Sequence, residues 1–390
     1  MLSEFHIGSY NLKTFNTKVK TDPKFKANKI EKFAQVIRDE NFQIIALQEV
    51  QRDKTVMDIL SAVAGCYAVP RANNIGYEAG KYAAIHCESI YQEISSEYGL
   101  KIDTAKHRYG ELAFIWNKDS MDIDVGSRSV VNIYKEIEEQ RQKFVDGLVN
   151  AIVAVIVGAV AAKAVRKDED EKSQAVDKAI LGVAAVGKAG GGTLSKTLIE
   201  NQVEAIVRST LRPPLVGVFT LKGKGDSKRQ LRLINVHAQF GETKFDKICG
   251  EQIRVTEANF LMNKLFPAVR DMRGGDNEMA ETLMLGDFNV EYEDMRLAKG
   301  NANVQIVQSR PSTIGVANKE EYEQGKDPVV EYKSNYDHFV FGSESTMWNP
   351  ESGIDVVQPK NSWLLAYNPE NNRREFISDH LPIIMRKANF

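Results

Sequence analysis

An excess of charge of either sign is missing from this sequence. Its 51 lysines and arginines stand against 53 aspartates and glutamates, a formal charge of −2. A histone-like chain that binds nucleic acid by bulk charge is therefore excluded, although a basic groove on one face is not. Cysteine is scarce as well. Cys66, Cys87 and Cys249 are widely spaced, odd in number and outside any C-x-x-C pattern. That excludes a disulfide framework and leaves buried or incidental thiols. The absence of a Cys/His cluster also argues against a structural zinc site.

Long hydrophobic runs are equally wanting. The strongest candidate, GLVNAIVAVIVGAVAAKAV from Gly147 to Val165, contains 12 uninterrupted apolar residues, Ala151 to Ala162. A membrane span needs about 20, and Asp146, Asn150 and Lys163 bracket this run closely. Its alanines and glycines suit close helix–helix packing, so it is expected to be a buried arm of a helical hairpin, and no membrane partner is expected. The opening residues MLSEFHIGSYNL have no basic stretch and read as a strand from Phe5, which leads us to expect a cytoplasmic protein.

What is present is an ordinary globular composition, 43% hydrophobic and 27% charged over 390 residues. This is enough for one large domain or two average ones. The opening segment FHIGSYNL alternates as a strand. FKANKIEKFAQVIRDEN has helical spacing, and IIALQEV reads as a buried strand. Strand–helix–strand order suggests an α/β architecture. Further strands are predicted at ELAFIW, LVGVFTL, LRLINVHA, TLMLGDFNV, YDHFVFG and LPIIMR, and an amphipathic helix over Gln252 to Leu265. Between Lys135 and Ser209 the composition turns Ala-, Val-, Glu- and Lys-rich without proline. The spacing of Tyr134, Ile137, Phe144, Leu148 and Ile152 marks this stretch as helical. We expect an insertion at 135–209, a helical hairpin or small helical subdomain, dividing a main domain made of 1–134 and 210–390.

Several predicted strands share a design in which an apolar run stops at a polar residue. In chain order these residues are Asn11, Glu49, Glu111, His237, Asp287, Asn289, Asp337, Asp379 and His380. Side chains presented at strand ends by a rigid sheet are how α/β enzymes build sites. Oxygen ligands of this kind suit Mg²⁺ or Mn²⁺. Two histidines, each with a carboxylate, suit proton transfer near neutral pH. Together these groups fit phosphoester hydrolysis. His6, His86, His107 and His338 are read as structural.

The segments SYNL, LQEV, RYGELAFIW, LINVHAQF, LMLGDFNVEYED, NYDHFVF and ISDHLPI, in this order, resemble the endonuclease/exonuclease/phosphatase superfamily, most closely its deoxyribonuclease I-like nucleases. They run from Ser9 to Ile383. The resemblance implies a four-layer α/β/β/α sandwich and a divalent-metal-dependent phosphodiesterase, an endonuclease cleaving DNA by His/Asp-assisted attack of water. It implies Asn11 and Glu49 as metal ligands, with Asp287, Asn289 and Asp379 completing the metal and phosphate site. His380 with Asp337 would form the general-base dyad, and His237 with Glu111 a second dyad at the scissile phosphate. Mg²⁺ or Mn²⁺ is the implied cofactor, with Ca²⁺ a further candidate. Tyr109 in YGE matches a tyrosine that enters the DNA minor groove, and Arg212 an arginine that contacts phosphate. Gln51 departs from the family, which carries a groove-contacting arginine there. The superfamily also leaves open a phosphatase or sphingomyelinase at membranes and a non-catalytic binding module. The insertion, lying in sequence between Glu111 and Arg212, is expected near the substrate face as a gate, clamp or partner-docking element.

Overall fold

The computed structural model describes residues 4–12, 23–50, 53–72, 75–91, 112–124, 128–165, 212–222, 229–238, 254–272, 279–307, 311–345, 347–348, 354–356 and 365–388. Short apolar runs bounded by polar residues become strands throughout. The first sheet contains β1 (Glu4–Asn11), β2 (Ile44–Gln48), β3 (Val69–Pro70), β4 (Tyr77–Ala79), β5 (Tyr82–His86), β6 (Leu112–Asn117), β15 (Ile354–Val356) and β18 (Ile383–Ala388), in the order β15-β18-β1-β2-β6-β5-β4-β3. The second contains β7 (Met121–Asp124), β8 (Leu215–Leu221), β9 (Arg229–His237), β10 (Met279–Asp287), β11 (Val304–Val307) and β14 (Asp337–Gly342), in the order β11-β14-β10-β9-β8-β7. Two short ribbons pair β12 (Ile314–Val316) with β13 (Val330–Tyr332) and β16 (Leu365–Asn368) with β17 (Arg373–Phe376).

The side-chain period of two assigns each face. On β2, Ile44 and Ala46 join the core that includes the second sheet, whereas Ile45 and Leu47 join a core shared with two helices. Those helices are α1 (Pro23–Asp39) and α2 (Asp53–Ala64). They bury Phe33, Val36 and Ile37, and Val56, Ile59 and Leu60, respectively. The outer face of the second sheet is covered by α3 (Arg128–Val165), by a helical stretch over 254–270 that ends in α4 (Phe266–Arg270), and by α5 (Tyr292–Lys299). The result is the α/β/β/α sandwich. The helix predicted over Gln252 to Leu265 is α-helical from residue 254, winds as a π-helix over Leu261–Leu265 and continues through α4. The π turn lies just ahead of Pro267, whose missing N–H and ring disturb the regular ladder. Arg232 on β9 is buried and donates from Nη1 to the carbonyls of Val269 (2.7 Å) and Arg270 (3.1 Å), capping the end of α4.

The stretch expected as an insertion starts inside this scaffold. α3 is one 38-residue helix that begins seven residues ahead of Lys135. Its Ile133, Tyr134, Ile137, Val145, Val149 and Val153 are buried, and Phe144 stacks on Phe260 at 4.4 Å between ring centroids. Tyr134 donates to the Val216 carbonyl at 2.9 Å and accepts from the Val216 N–H at 3.0 Å. Among the described residues, no helix is long and apolar enough to cross a membrane. The remainder of the proposed insertion, from 166 onward to 209, lies outside the described residues.

Candidate active site

The strand order brings the polar strand ends together. β1 and β2 are parallel, with Asn11 beside Gln48, the residue before Glu49. In the second sheet β9 and β10 are parallel while β14 runs antiparallel, so that His237, Asp287 and Asp337 form one lateral row. β18 runs antiparallel to β1, placing Asp379 and His380, which precede it, at the same edge as Asn11. Two rows, one from each sheet, therefore face each other across the sandwich. Asn11 closes the gap, donating from Nδ2 to Asp287 Oδ2 at 2.8 Å.

Backbone geometry holds this edge in place. Gly286 has φ 143°, and a Cβ there would lie 1.9 Å from the Val236 carbonyl oxygen, so the GDFN turn demands glycine. Glu49 (φ 59°) and Asn289 (φ 51°) sit in the left-handed region, unusual for residues with a side chain and frequent where a site over-determines the backbone. Asp287 Oδ1 accepts the Asn289 N–H at 2.8 Å, and Asn289 Nδ2 donates to the Ala238 carbonyl at 2.6 Å.

His380 Nδ1 is 2.8 Å from Asp337 Oδ2, and its Nε2 is 3.6 Å from Asp287 Oδ2. Burial disfavours the charge on His380, but Asp337, Asp287 and Asp379 outweigh it and raise its pKa to about 10. Burial raises the Asp287 carboxyl above its ordinary value, with His380 acting against that rise. His237 is the opposite case: burial, Arg212 and His380 hold it well below its ordinary value. Its ring nitrogens face Arg212 Nη1, with Nε2 at 3.1 Å and Nδ1 in still closer contact. A guanidinium can only donate, so the arrangement requires a neutral, accepting imidazole. Glu49 Oε1 lies 3.8 Å from His237 Nε2.

Asn11, Glu49, Arg212, His237, Asp287, Asn289, Asp337, Asp379 and His380 thus converge. Tyr109 and Glu111 lie outside the described residues, as does the His237–Glu111 pairing. His338 is buried with Nε2 2.7 Å from the Val290 carbonyl, a structural role. Sequence reasoning missed the polar layer beneath the site. Gln48 Nε2 donates to Ser9 Oγ (3.0 Å) and to Asn235 Oδ1 (2.8 Å), and Asn235 Nδ2 reaches the Leu47 and Ala113 carbonyls (3.1 Å each). Ser378 Oγ donates to the Asn11 carbonyl at 2.7 Å and accepts the His380 N–H at 3.1 Å. The signal available was a polar residue on the inward phase of an apolar strand. Glu257 was also missed. Burial pushes its carboxyl up to about 8 despite the nearby charges of Arg212, Arg141 and Arg254.

The oxygen-rich set fits a hard divalent cation. Asp287 is a nearly fully buried carboxylate whose charge is disfavoured by burial, and Asn11 and Glu49 bring further oxygens to the same edge.

No protein-family model matches the sequence, and no curated protein matches it. Among solved structures, the chain is similar to an endonuclease/exonuclease/phosphatase family protein from Bacteroides thetaiotaomicron, with 14% identity, TM-score 0.46, and 98% of this chain and 97% of that one covered. It is similar to D. rerio TDP2 complexed with a single-strand DNA product, with 12% identity, TM-score 0.44 and 98% of each chain covered. A mannosyl-6-phosphatase from Bacteroides thetaiotaomicron VPI-5482 aligns with 13% identity, TM-score 0.46, and 99% of this chain and 100% of that one covered.

Proposed function

We propose that the protein is a divalent-metal-dependent phosphodiesterase, an endonuclease that cleaves the DNA backbone by attack of water on phosphorus. The observation that carries the reading is one edge of the sandwich where the His380–Asp337 pair, at 2.8 Å, adjoins buried Asp287, Asn11 and Asn289, with His237 and Arg212 alongside. Asn11, Glu49, Asp287, Asn289 and Asp379 would hold Mg²⁺ or Mn²⁺. When bound, that ion supplies charge neutralisation of the phosphate and of the developing oxyanion.

The chain's own residues divide the remaining work. Asp337 fixes the His380 ring through Nδ1 and so turns Nε2 toward the reacting centre. With the charge of Asp287 and Asp379 shared by a bound cation, the His380 ring would return toward the neutral form that accepts a proton from water. His237 is kept neutral and points its nitrogens at Arg212. A phosphodiester arriving here takes the guanidinium as a charge-assisted donor and frees His237 to hold a phosphate oxygen. Arginine beside a backbone phosphate gives affinity without sequence preference.

Plasmid nicking tests the reading. Mg²⁺ is expected to support cleavage and EDTA to abolish it, and His237→Ala and His380→Ala are each expected to slow it roughly 10²–10⁴-fold. Absence of cutting by the wild type, or normal cutting by both variants, refutes the assignment. Binding to lipid vesicles in a flotation assay without DNA cleavage would instead favour a membrane phosphodiesterase.

A further inference from the structure

A second cluster of ligating side chains lies further along the same edge of the first sheet. His86 ends β5, which is separated from β2 only by β6. At about 4.8 Å per strand step, the His86 backbone lies on the order of 10 Å from the end of β2, and its ring reaches back to Val50, the residue after Glu49. His86 is fully buried, and its Nε2 is 2.8 Å from the Val50 carbonyl oxygen. A carbonyl can only accept, so this contact commits the Nε2 proton and directs the other nitrogen into the cluster. Nδ1 there faces Asp53 Oδ1 at 3.4 Å and Glu88 Oε2 at 3.9 Å. One ligand atom from each of the three residues lies within 4.8 Å of the other two.

We propose that Asp53, His86 and Glu88 form a binding site for a first-row divalent cation, Zn²⁺ or Mn²⁺, separate from the candidate catalytic centre. Ligands about 2.1 Å from a tetrahedral ion stand about 3.4 Å apart, which is the His86–Asp53 separation. Glu88 closes the remaining gap by a small rotation, its side chain being 48% exposed. One imidazole and two carboxylates favour a borderline cation over Mg²⁺, which prefers oxygen and retains its water. Outer-shell support is present. Ser89 Oγ donates to Asp53 Oδ1 and Oδ2 at 3.3 and 3.4 Å. The ligands come from the first turn of α2, the end of β5 and the helical turn over residues 87–91 that follows it, and the carbonyl that anchors Nε2 belongs to the residue after Glu49. A bound cation would brace the left-handed Glu49 turn from behind.

The test is equilibrium dialysis of the full chain against micromolar Zn²⁺ in millimolar Mg²⁺, after stripping with EDTA. Wild type is expected to retain one equivalent of Zn²⁺ and to melt at a higher temperature with it. Asp287→Asn, altered only at the candidate catalytic centre, is expected to retain the same equivalent. His86→Asn and Glu88→Gln are expected to bind at least tenfold more weakly. Glu88→Gln alters a half-exposed side chain, so it reports even if His86→Asn fails to fold. No Zn²⁺ retained by wild type, equal affinity in Glu88→Gln, or loss of the equivalent in Asp287→Asn would each overturn the proposal.

Discussion

Gly286 shows how strongly a single position can be constrained. A methyl group added there meets the Val236 carbonyl oxygen at 1.9 Å, and the two backbones must separate. Gly286→Ala is expected to cost at least about 1–3 kcal/mol in backbone strain and to displace Asp287, so its melting temperature and Mg²⁺-dependent cleavage should both fall. Wild-type melting with intact cleavage would contradict this. The histidines set a pH dependence. His380 has a folded pKa near 10, above its ordinary value of 6.5, so its contribution to stability is complete below pH 6.5 and is lost as pH rises toward 10. Asp287, raised from 3.8 to about 7, works in the same direction at lower pH, its contribution being lost as pH rises toward 7. His237, lowered, contributes stability that is present above pH 6.5 and lost below it. Urea midpoints of the metal-free protein should therefore decline from pH 6.5 to 10, and the decline should flatten in His380→Gln. An unchanged slope in that variant would exclude His380 as its source.

Among elements, the contact between the two sheets decides the site. Ser9, Gln48 and Asn235 are buried without remaining exposure at a mostly apolar interface, and they bond only in one register. Asn235→Leu would leave Gln48 and the Leu47 and Ala113 carbonyls without this partner. A stranded buried polar group costs about 1–3 kcal/mol, so chemical denaturation should show a loss of several kcal/mol. A loss under 1 kcal/mol would mean that this layer does not hold the sheets. Among the described residues, every strand longer than five residues was legible from sequence, because apolar alternation is a local property. LVGVFTL became β8 over the residues expected, and YDHFVFG became β14 from its second residue, Asp337. The strand predicted through GDFNV stops at Asp287, because the left-handed Asn289 and the Asp287–Asn289 bond turn the chain there. The polar layer was less legible, since a lone inward asparagine such as Asn235 carries no sign of its partner until the second sheet is in place.

For the whole molecule, α3 is both scaffold and the start of the proposed insertion. Deleting 135–209 would remove Ile137, Val145, Val149 and Val153 from the core. Each buried aliphatic side chain contributes about 1.5–3 kcal/mol, so the loss rivals the stability of a typical domain. That deletion is expected to abolish cooperative unfolding by circular dichroism. Cooperative melting of the deletion variant would show that α3 is dispensable to the sandwich.

The sequence alone determined the longer strands, the helix α1 and the polar residues at the strand ends, because alternation, helical spacing and turn chemistry act over a few neighbouring residues. It also determined that the apolar run from Ala151 to Ala162 is too short to span a bilayer. Only the tertiary structure decided that Asn11 meets Asp287, 276 residues away, that Arg212 lies on His237, and that His86 faces Asp53 and Glu88. Those meetings depend on strand order and on how one sheet lies on the other, which arise from burial summed over the whole core rather than from any local stretch of chain.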